Sequence, residues 1–143
     1  MPHEAVLAEL DRRRDAARAM GGEEKLARRR ESGQLNAEER LAALVDEGSF
    51  YETGLLARSS FSAKAAEKSP RDGKITGFGR IDGRDVGVVV NDFTTMGAST
   101  GASNSKKMGY IRKTCTEKGM PFVHIGESTG ARLPDAMGSR GMG

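Results

Sequence analysis

Lys74-Ile75-Thr76-Gly77-Phe78-Gly79-Arg80-Ile81-Asp82-Gly83-Arg84-Asp85-Val86-Gly87-Val88-Val89-Val90-Asn91 reads as two strands joined by a tight turn. Residues 74–81 alternate in polarity. Asp82-Gly83 is a favoured two-residue hairpin turn, because both positions need positive φ. The return strand, 85–91, is different in character. Val86, Val88, Val89 and Val90 make it apolar on both faces, which predicts a central strand covered on both sides.

On the C-terminal side comes a loop of small residues, Met96-Gly97-Ala98-Ser99-Thr100-Gly101-Ala102-Ser103. It feeds a helix predicted over 104–118, with Met108, Ile111 and Cys115 as its buried stripe and Gly119 as its cap. Pro121–Ile125 is a further short apolar strand. Strand, helix and strand in that order form one ββα-type repeat of an α/β sheet. Such a sheet normally needs further units, so the chain is expected to be incomplete as a domain. On the N-terminal side, residues 4–19 and 23–31 are charged helical patterns separated by Gly21-Gly22. Their apolar faces are too narrow to fold alone and call for a partner surface, either a later domain or another subunit. Asn36 and Glu39 have capping-box spacing and open a third helix with Leu41, Leu44 and Val45 on its apolar face. Ser49–Glu52 is extended, and the Ser-, Ala- and Lys-rich stretch 57–72 reads as a mobile loop. The organisation expected is therefore a helical segment at 1–47, an extended stretch and loop at 48–72, and the first part of an α/β domain at 73–143.

The charge distribution is uneven. Residues 1–47 hold nine Lys/Arg against eleven Asp/Glu, whereas residues 48–143 hold fourteen against nine. The basic surplus thus falls in the glycine-rich part, where a phosphate-bearing small ligand is one explanation and a solvated surface another. Nucleic acid is not expected, because there is no dense basic run and no aromatic platform, with aromatics at 5% and no Trp. The single cysteine, Cys115, leaves no internal disulfide and no four-cysteine zinc site. With neither an apolar leader nor a membrane-length apolar run, the reading is a soluble, cytoplasmic protein without a metal site.

The turn Gly126-Glu127-Ser128-Thr129-Gly130-Ala131-Arg132 follows a strand whose carboxyl end is where ligands collect in open α/β sheets. Small residues there let backbone N–H groups approach a ligand, and two N–H groups aimed at one point form an oxyanion hole. A plain strand-to-loop turn is the competing reading. Loop 97–103 opens a helix whose N-terminus favours anions, and Lys106 and Lys107 follow it, although solvated lysines explain them equally well. His124 is expected in the core and Cys115 as inert packing. Glu127 and Asp135 are acid–base candidates without an evident partner, and Asp92 caps a turn.

The residues also resemble a family over nearly the whole chain. The matching stretches are Gly21-Gly22-Glu23 with 28–31, 35–41, 46–52, 72–79 with 81–84, 91–94, 97–101 and 127–132. Their order and spacing are similar to the N-terminal part of biotin-dependent acyl-CoA carboxyltransferases, the β-subunit type of propionyl-CoA or acetyl-CoA carboxylase. The resemblance implies a crotonase-like α/β fold of ββα repeats, preceded by N-terminal helices. It implies oxyanion stabilisation by Thr129, Gly130 and Ala131, and CoA contacts from Gly97, Ala98, Ser99, Gly101, Lys106, Lys107 and Arg132. It also implies biotin carried on a partner protein, a biotin carboxylase or carrier subunit as partner, and assembly into homo- or hetero-oligomers. A biotin-dependent decarboxylase and a non-catalytic CoA-ester-binding subunit are alternatives. The chain departs from the family pattern at Glu127 (usually Asp), Thr129 (usually Gly) and Ala98 (usually Gly).

Overall fold

A computed structural model describes residues 2–136. Met1 and residues 137–143 of the expected terminal segments lie outside the described residues. Three helices come first: α1 (Pro2–Arg18), α2 (Glu23–Glu31) and α3 (Ala37–Leu44). They lead into a four-stranded sheet, β1 (Tyr51–Thr53), β2 (Lys74–Ile81), β3 (Arg84–Asn91) and β4 (Phe122–Ile125), whose spatial order is that of the sequence. The strands of the first two pairs are antiparallel, and β3 and β4 are parallel. The parallel pair needs a crossover, supplied by α5 (Ala102–Lys118).

The hairpin forms as its sequence dictates. Asp82 and Gly83 take φ of 48° and 77°, and the register runs from Ile81–Arg84 to Lys74–Asn91. Because successive side chains face opposite ways, the valines of β3 divide between two layers. Val86, Val88 and Val90 join Ile75 on one face, against Met20, Ala37 and Leu41 of the N-terminal segment. Val89 takes the other face with Ile111 and Cys115 of α5. β3 is thus buried on both sides, as expected, and each buried valine side chain stabilises by about 1.5–3 kcal/mol. This chain's own sheet supplies part of the surface that the N-terminal segment packs on, while Val6 and Leu7 of α1 stay exposed.

The capping box forms in full. Asn36 Oδ1 accepts from Glu39 N–H at 3.0 Å, and Glu39 Oε2 accepts from Asn36 N–H at 2.8 Å. The expectation of a mobile loop at 57–72 is corrected in its second part. Ser62 caps a short helix, α4 (Ala63–Glu67), and a 3-10 turn at Pro70–Gly73 is buried throughout. The polar composition there misleads because Arg71 and Asp72 are internal ion-pair partners rather than solvated residues. No helix among the described residues is long and apolar enough to cross a membrane.

Gly87 is where α5 comes closest to the sheet. A Cβ there would lie 2.2 Å from Cys115 Sγ and 2.8 Å from Ile111 Cγ2. Gly87→Ala is therefore expected to destabilise by about 1–3 kcal/mol through overpacking. This would be read as a lower urea midpoint at unchanged m-value. An unchanged midpoint would mean that α5 shifts freely and that this contact does not set its height over the sheet.

Candidate functional site

Because β3 and β4 are parallel, Asn91 and Ile125 bring their following loops to the same end of the sheet. Asp92 caps the first loop, accepting from Thr94 N–H at 3.0 Å and from Thr95 Oγ1 at 2.8 Å. Met96, Gly97 and Ala98 then take left-handed φ of 49°, 58° and 48°. The second loop docks on this turn. Thr129 N–H donates to Gly97 O at 2.9 Å, Ser128 Oγ–H donates to Ala98 O at 3.0 Å, and a parallel bridge joins Thr100 to Ala131. In that bridge Thr100 N–H donates to Gly130 O at 2.8 Å, and Arg132 N–H donates to Thr100 O at 2.7 Å.

This geometry corrects the expected set of three backbone donors. The Thr129 amide is held by Gly97 O, and the Gly130 amide donates to Ser128 Oγ at 3.0 Å. On the Ala131 side of this bridge the flanking residues Gly130 and Arg132 make the bonds, so the bridge does not use the Ala131 N–H. Ala131 is exposed, and its N–H has no partner among the described residues. Open space surrounds Gly126 and Gly130, where an added Cβ would meet nothing within 4 Å.

The expected phosphate contacts are corrected more strongly. The N-terminus of α5 favours an anion, but the chain supplies its own. Asn104 N–H donates to Asp72 Oδ2 at 3.0 Å and Ala102 N–H to Asp135 Oδ2 at 3.1 Å. Gly101 faces the same group, since a Cβ there would lie 2.1 Å from Asp135 Oδ2. Arg132 is buried, with Nη1 2.7 Å from Asp72 Oδ1 and both other nitrogens on Ser99. Lys107 turns inward, donating to Arg71 O at 2.7 Å and Lys74 O at 2.6 Å. Ala98 and Ser99 are buried, and Gly97 packs under Thr129. Of the side chains expected to contact CoA phosphates, only Lys106 is exposed and unengaged.

Three acid–base candidates also change. Glu127 is ion-paired with Arg29 (2.8 Å) and Arg40 (2.7 Å), and the Arg29 hydrogen bonds lead in holding its carboxyl below the ordinary glutamate range. It is thus a carboxylate anchor rather than a proton donor. Asp135 caps α5 beside Arg132. His124 is exposed rather than in the core, because β4 is an edge strand among the described residues. Its Nε2 lies 3.0 Å from Asn91 Oδ1, while Asn91 Nδ2 donates to Glu127 O at 3.1 Å. Partial desolvation pushes the imidazole pKa down. Cys115 is buried packing, and desolvation raises its thiol pKa.

Sequence reasoning missed the residues that hold the two loops: Asp72, Lys74, Asn104, Arg29 and Arg40. Lys74 is 1% exposed, and its ammonium donates to Ala98 O at 2.7 Å. A lysine at the start of an apolar strand, just after Asp72-Gly73, is the one signal that the sequence carries for this network.

The chain belongs to the carboxyl transferase family. The family model described as a carboxyl transferase domain matches residues 28–143. Among curated relatives, the biotin-dependent long chain acyl-coenzyme A carboxylase beta4 subunit of Mycobacterium tuberculosis is 40% identical, covering 93% of this chain and 25% of the relative. The propionyl-CoA carboxylase beta chain of Roseobacter denitrificans is 37% identical, covering 94% and 27%. In structure, the chain resembles transcarboxylase 12S, solved as a hexamer with methylmalonyl-coenzyme A bound, at a TM-score of 0.85 and 33% identity over 94% of this chain and 27% of that one. A single-chain, multi-domain long-chain acyl-CoA carboxylase gives a TM-score of 0.83 at 26% identity, covering 96% and 15%. The fold is the crotonase-like one of these carboxyltransferases. The chain spans about a quarter of the length of the curated relatives it matches.

Lys74 and Lys107 give this region a pH signature. Desolvation lowers each pKa from 10.5 to about 8, against the opposing pull of Asp72 on Lys74 and of Glu52 on Lys107. Between about pH 8 and 10.5 the unfolded chain therefore binds more protons than the folded one. Stability should rise with pH across that window. Denaturant midpoints measured against pH should show the rise, and Lys74→Met should flatten it. A parent profile that is level or falling would contradict the burial of these ammonium groups.

Proposed function

We propose that this chain forms the acyl-CoA half-site of a biotin-dependent carboxyltransferase, with the thioester carbonyl seated over the 128–131 loop. The observation that carries this reading is the N–H of exposed Ala131, without a partner among the described residues, at the carboxyl end of the parallel pair beside Gly130, where an added Cβ would meet nothing within 4 Å. A thioester oxygen gains charge as its α-carbon loses a proton. A fixed backbone donor stabilises that charge without a side chain. The C–H bond pair becomes the C=C of an enolate as the proton passes to a solvent water, and the enolate electron pair then forms the C–C bond to CO2. Carboxybiotin on a partner protein supplies the CO2 when it is bound.

The chain's own residues position and exclude. Lys74 and Ser128 both donate to Ala98 O, which fixes the 96–98 turn. Arg29 and Arg40 grip Glu127 at the base of the second loop. Acyl-CoA carboxylase subunits and the transcarboxylase hexamer among the relatives support a biotin carboxylase or carrier protein as partner and assembly into oligomers. The exposed edge of β4 is where further strands would add.

Gly130 separates this reading from an inert turn. Its φ of 106° is one that L side chains rarely adopt, although a Cβ there would clash with nothing. Gly130→Val should therefore distort the loop while sparing the fold. The measurement is deuterium uptake at the α-carbon of propionyl-CoA in D2O, which reports enolate formation without biotin. The parent chain should catalyse exchange, and Gly130→Val should lower it at least about tenfold, or about 1.4 kcal/mol of transition-state stabilisation. Equal exchange by both would remove the loop from the site.

A further inference from the structure

A chain of side-chain hydrogen bonds runs from the exposed edge of β4 to the second loop. Asn91, buried at the end of β3, donates from Nδ2 to Glu127 O at 3.1 Å, and its Oδ1 lies 3.0 Å from Nε2 of His124. We infer that Asn91 and His124 are positioning residues, which together set the plane of the Glu127–Ser128 peptide and so the shape of the 128–131 loop. Their effect on α-proton removal rests on the function proposed above.

Acceptor chemistry fixes each hydrogen in this chain of bonds. A carbonyl oxygen only accepts, so the Asn91 group facing Glu127 O is the NH2, and the group facing His124 is the side-chain oxygen. That oxygen also only accepts. His124 Nε2 therefore carries a hydrogen and, in the neutral ring, Nδ1 does not. Without a donor on the histidine side, the Asn91 amide can turn over and set its oxygen against Glu127 O. With the donor, one orientation is held. Protonation keeps the bond, because both ring nitrogens donate in the imidazolium. Desolvation, followed by Lys74 and Arg112, holds the imidazole pKa below its ordinary value, so the neutral ring prevails at neutral pH.

The peptide has no other restraint of this kind. Among the described residues Asn91 is the one donor to Glu127 O. Arg29 and Arg40 hold the far end of the Glu127 side chain, which does not fix the rotation of its peptide. Gly126 adds no steric brake, since a Cβ there would meet nothing within 4 Å. A trans peptide is planar, so holding Glu127 O also aims Ser128 N–H the opposite way. Ser128 Oγ then joins the two loops, donating to Ala98 O and accepting from Gly130 N–H, both at 3.0 Å. The register partner of Asn91 is Lys74, whose ammonium donates to Ala98 O in the first loop. This one cross-strand pair thus addresses both loops, Lys74 the first and Asn91 the second.

The test starts with the unaltered 143-residue chain. Long-range proton–nitrogen correlation NMR, recorded where the ring is neutral, should show His124 as a single Nε2–H tautomer, and Asn91→Ala should give a mixture. His124 lies exposed at the edge of the described sheet, where substitutions seldom unfold a chain. His124→Leu removes the donor. It should speed amide hydrogen exchange at Thr129 and lower kcat for α-proton exchange on propionyl-CoA about fivefold or more, with KM within about twofold. His124→Gln, whose amide nitrogen reaches as far as Nε2, should restore both, and the shorter His124→Asn should restore neither. A mixed or Nδ1–H tautomer in the parent overturns the positioning pair. So does parent-like Thr129 protection in His124→Leu, or a His124→Gln variant no better than His124→Leu. The expected tautomer and protection, with no α-proton exchange by the parent, keep the positioning pair and reject the carboxyltransferase reading. Parent exchange that His124→Leu leaves unchanged does the reverse.

Discussion

The side chain of Asp72 has no exposed surface, and two distant segments meet on this residue. Oδ1 takes the Arg132 guanidinium, Oδ2 takes the N–H of Asn104 in the first turn of α5, and its backbone carbonyl takes Asn104 Nδ2 at 3.0 Å. Breaking such a pair from one side leaves an uncompensated buried charge, at about 3–5 kcal/mol. The turn before β2, the start of α5 and the end of the 126–132 loop are therefore tied together at this residue. The backbone serves the same end. Arg71, Asp72 and Gly73 are successive left-handed residues that aim the carboxylate inward rather than into solvent.

A second ion-pair cluster ties the N-terminal helices into the same site. Glu127 is gripped by Arg29 of α2 and Arg40 of α3. Arg29 also reaches Leu35 O, which closes the connection between those helices. These helices carry too little apolar surface for independent folding. Packing of Met20, Ala37 and Leu41 on the sheet and the Glu127 pairs each supply part of what they lack. The helices are thus part of the loop's support, not an appendage to it.

What the sequence made legible was local. The hairpin turn needs only Asp82-Gly83, the cap of α3 needs only Asn36 and Glu39, and the two-sided burial of β3 follows from four valines. What it concealed was long-range pairing. Arg132 lies 60 residues from Asp72, and Arg29 lies 98 from Glu127. Composition cannot distinguish an internal partner from a solvated charge, so 57–72 read as a loop, and nothing local set against the ligand contacts that the resemblance implied for Lys107 and Arg132. The same blindness hid the filled N-terminus of α5: small residues opening a helix look alike whether the anion comes from a ligand or from the chain's own aspartates.

That saturation bears on how an oxyanion would be held. Ala131 offers one N–H, whereas a strong oxyanion site uses two. A second donor in the same loop is the Thr129 amide, now bonded to Gly97 O. A backbone bond of that kind is worth about 0.5–1.5 kcal/mol net. A bond from the same N–H to a charged oxygen is roughly twice as strong. Under the proposed function, a thioester oxygen that gains negative charge outcompetes the Gly97 carbonyl, while a neutral ground-state oxygen does not. The Thr129 side chain reinforces this preference. Its Oγ1 also bonds Gly97 O, at 3.3 Å, so the turn keeps one tether when the amide lets go. The loop then favours the enolate over the bound ester, and that difference between the two states is what accelerates a reaction.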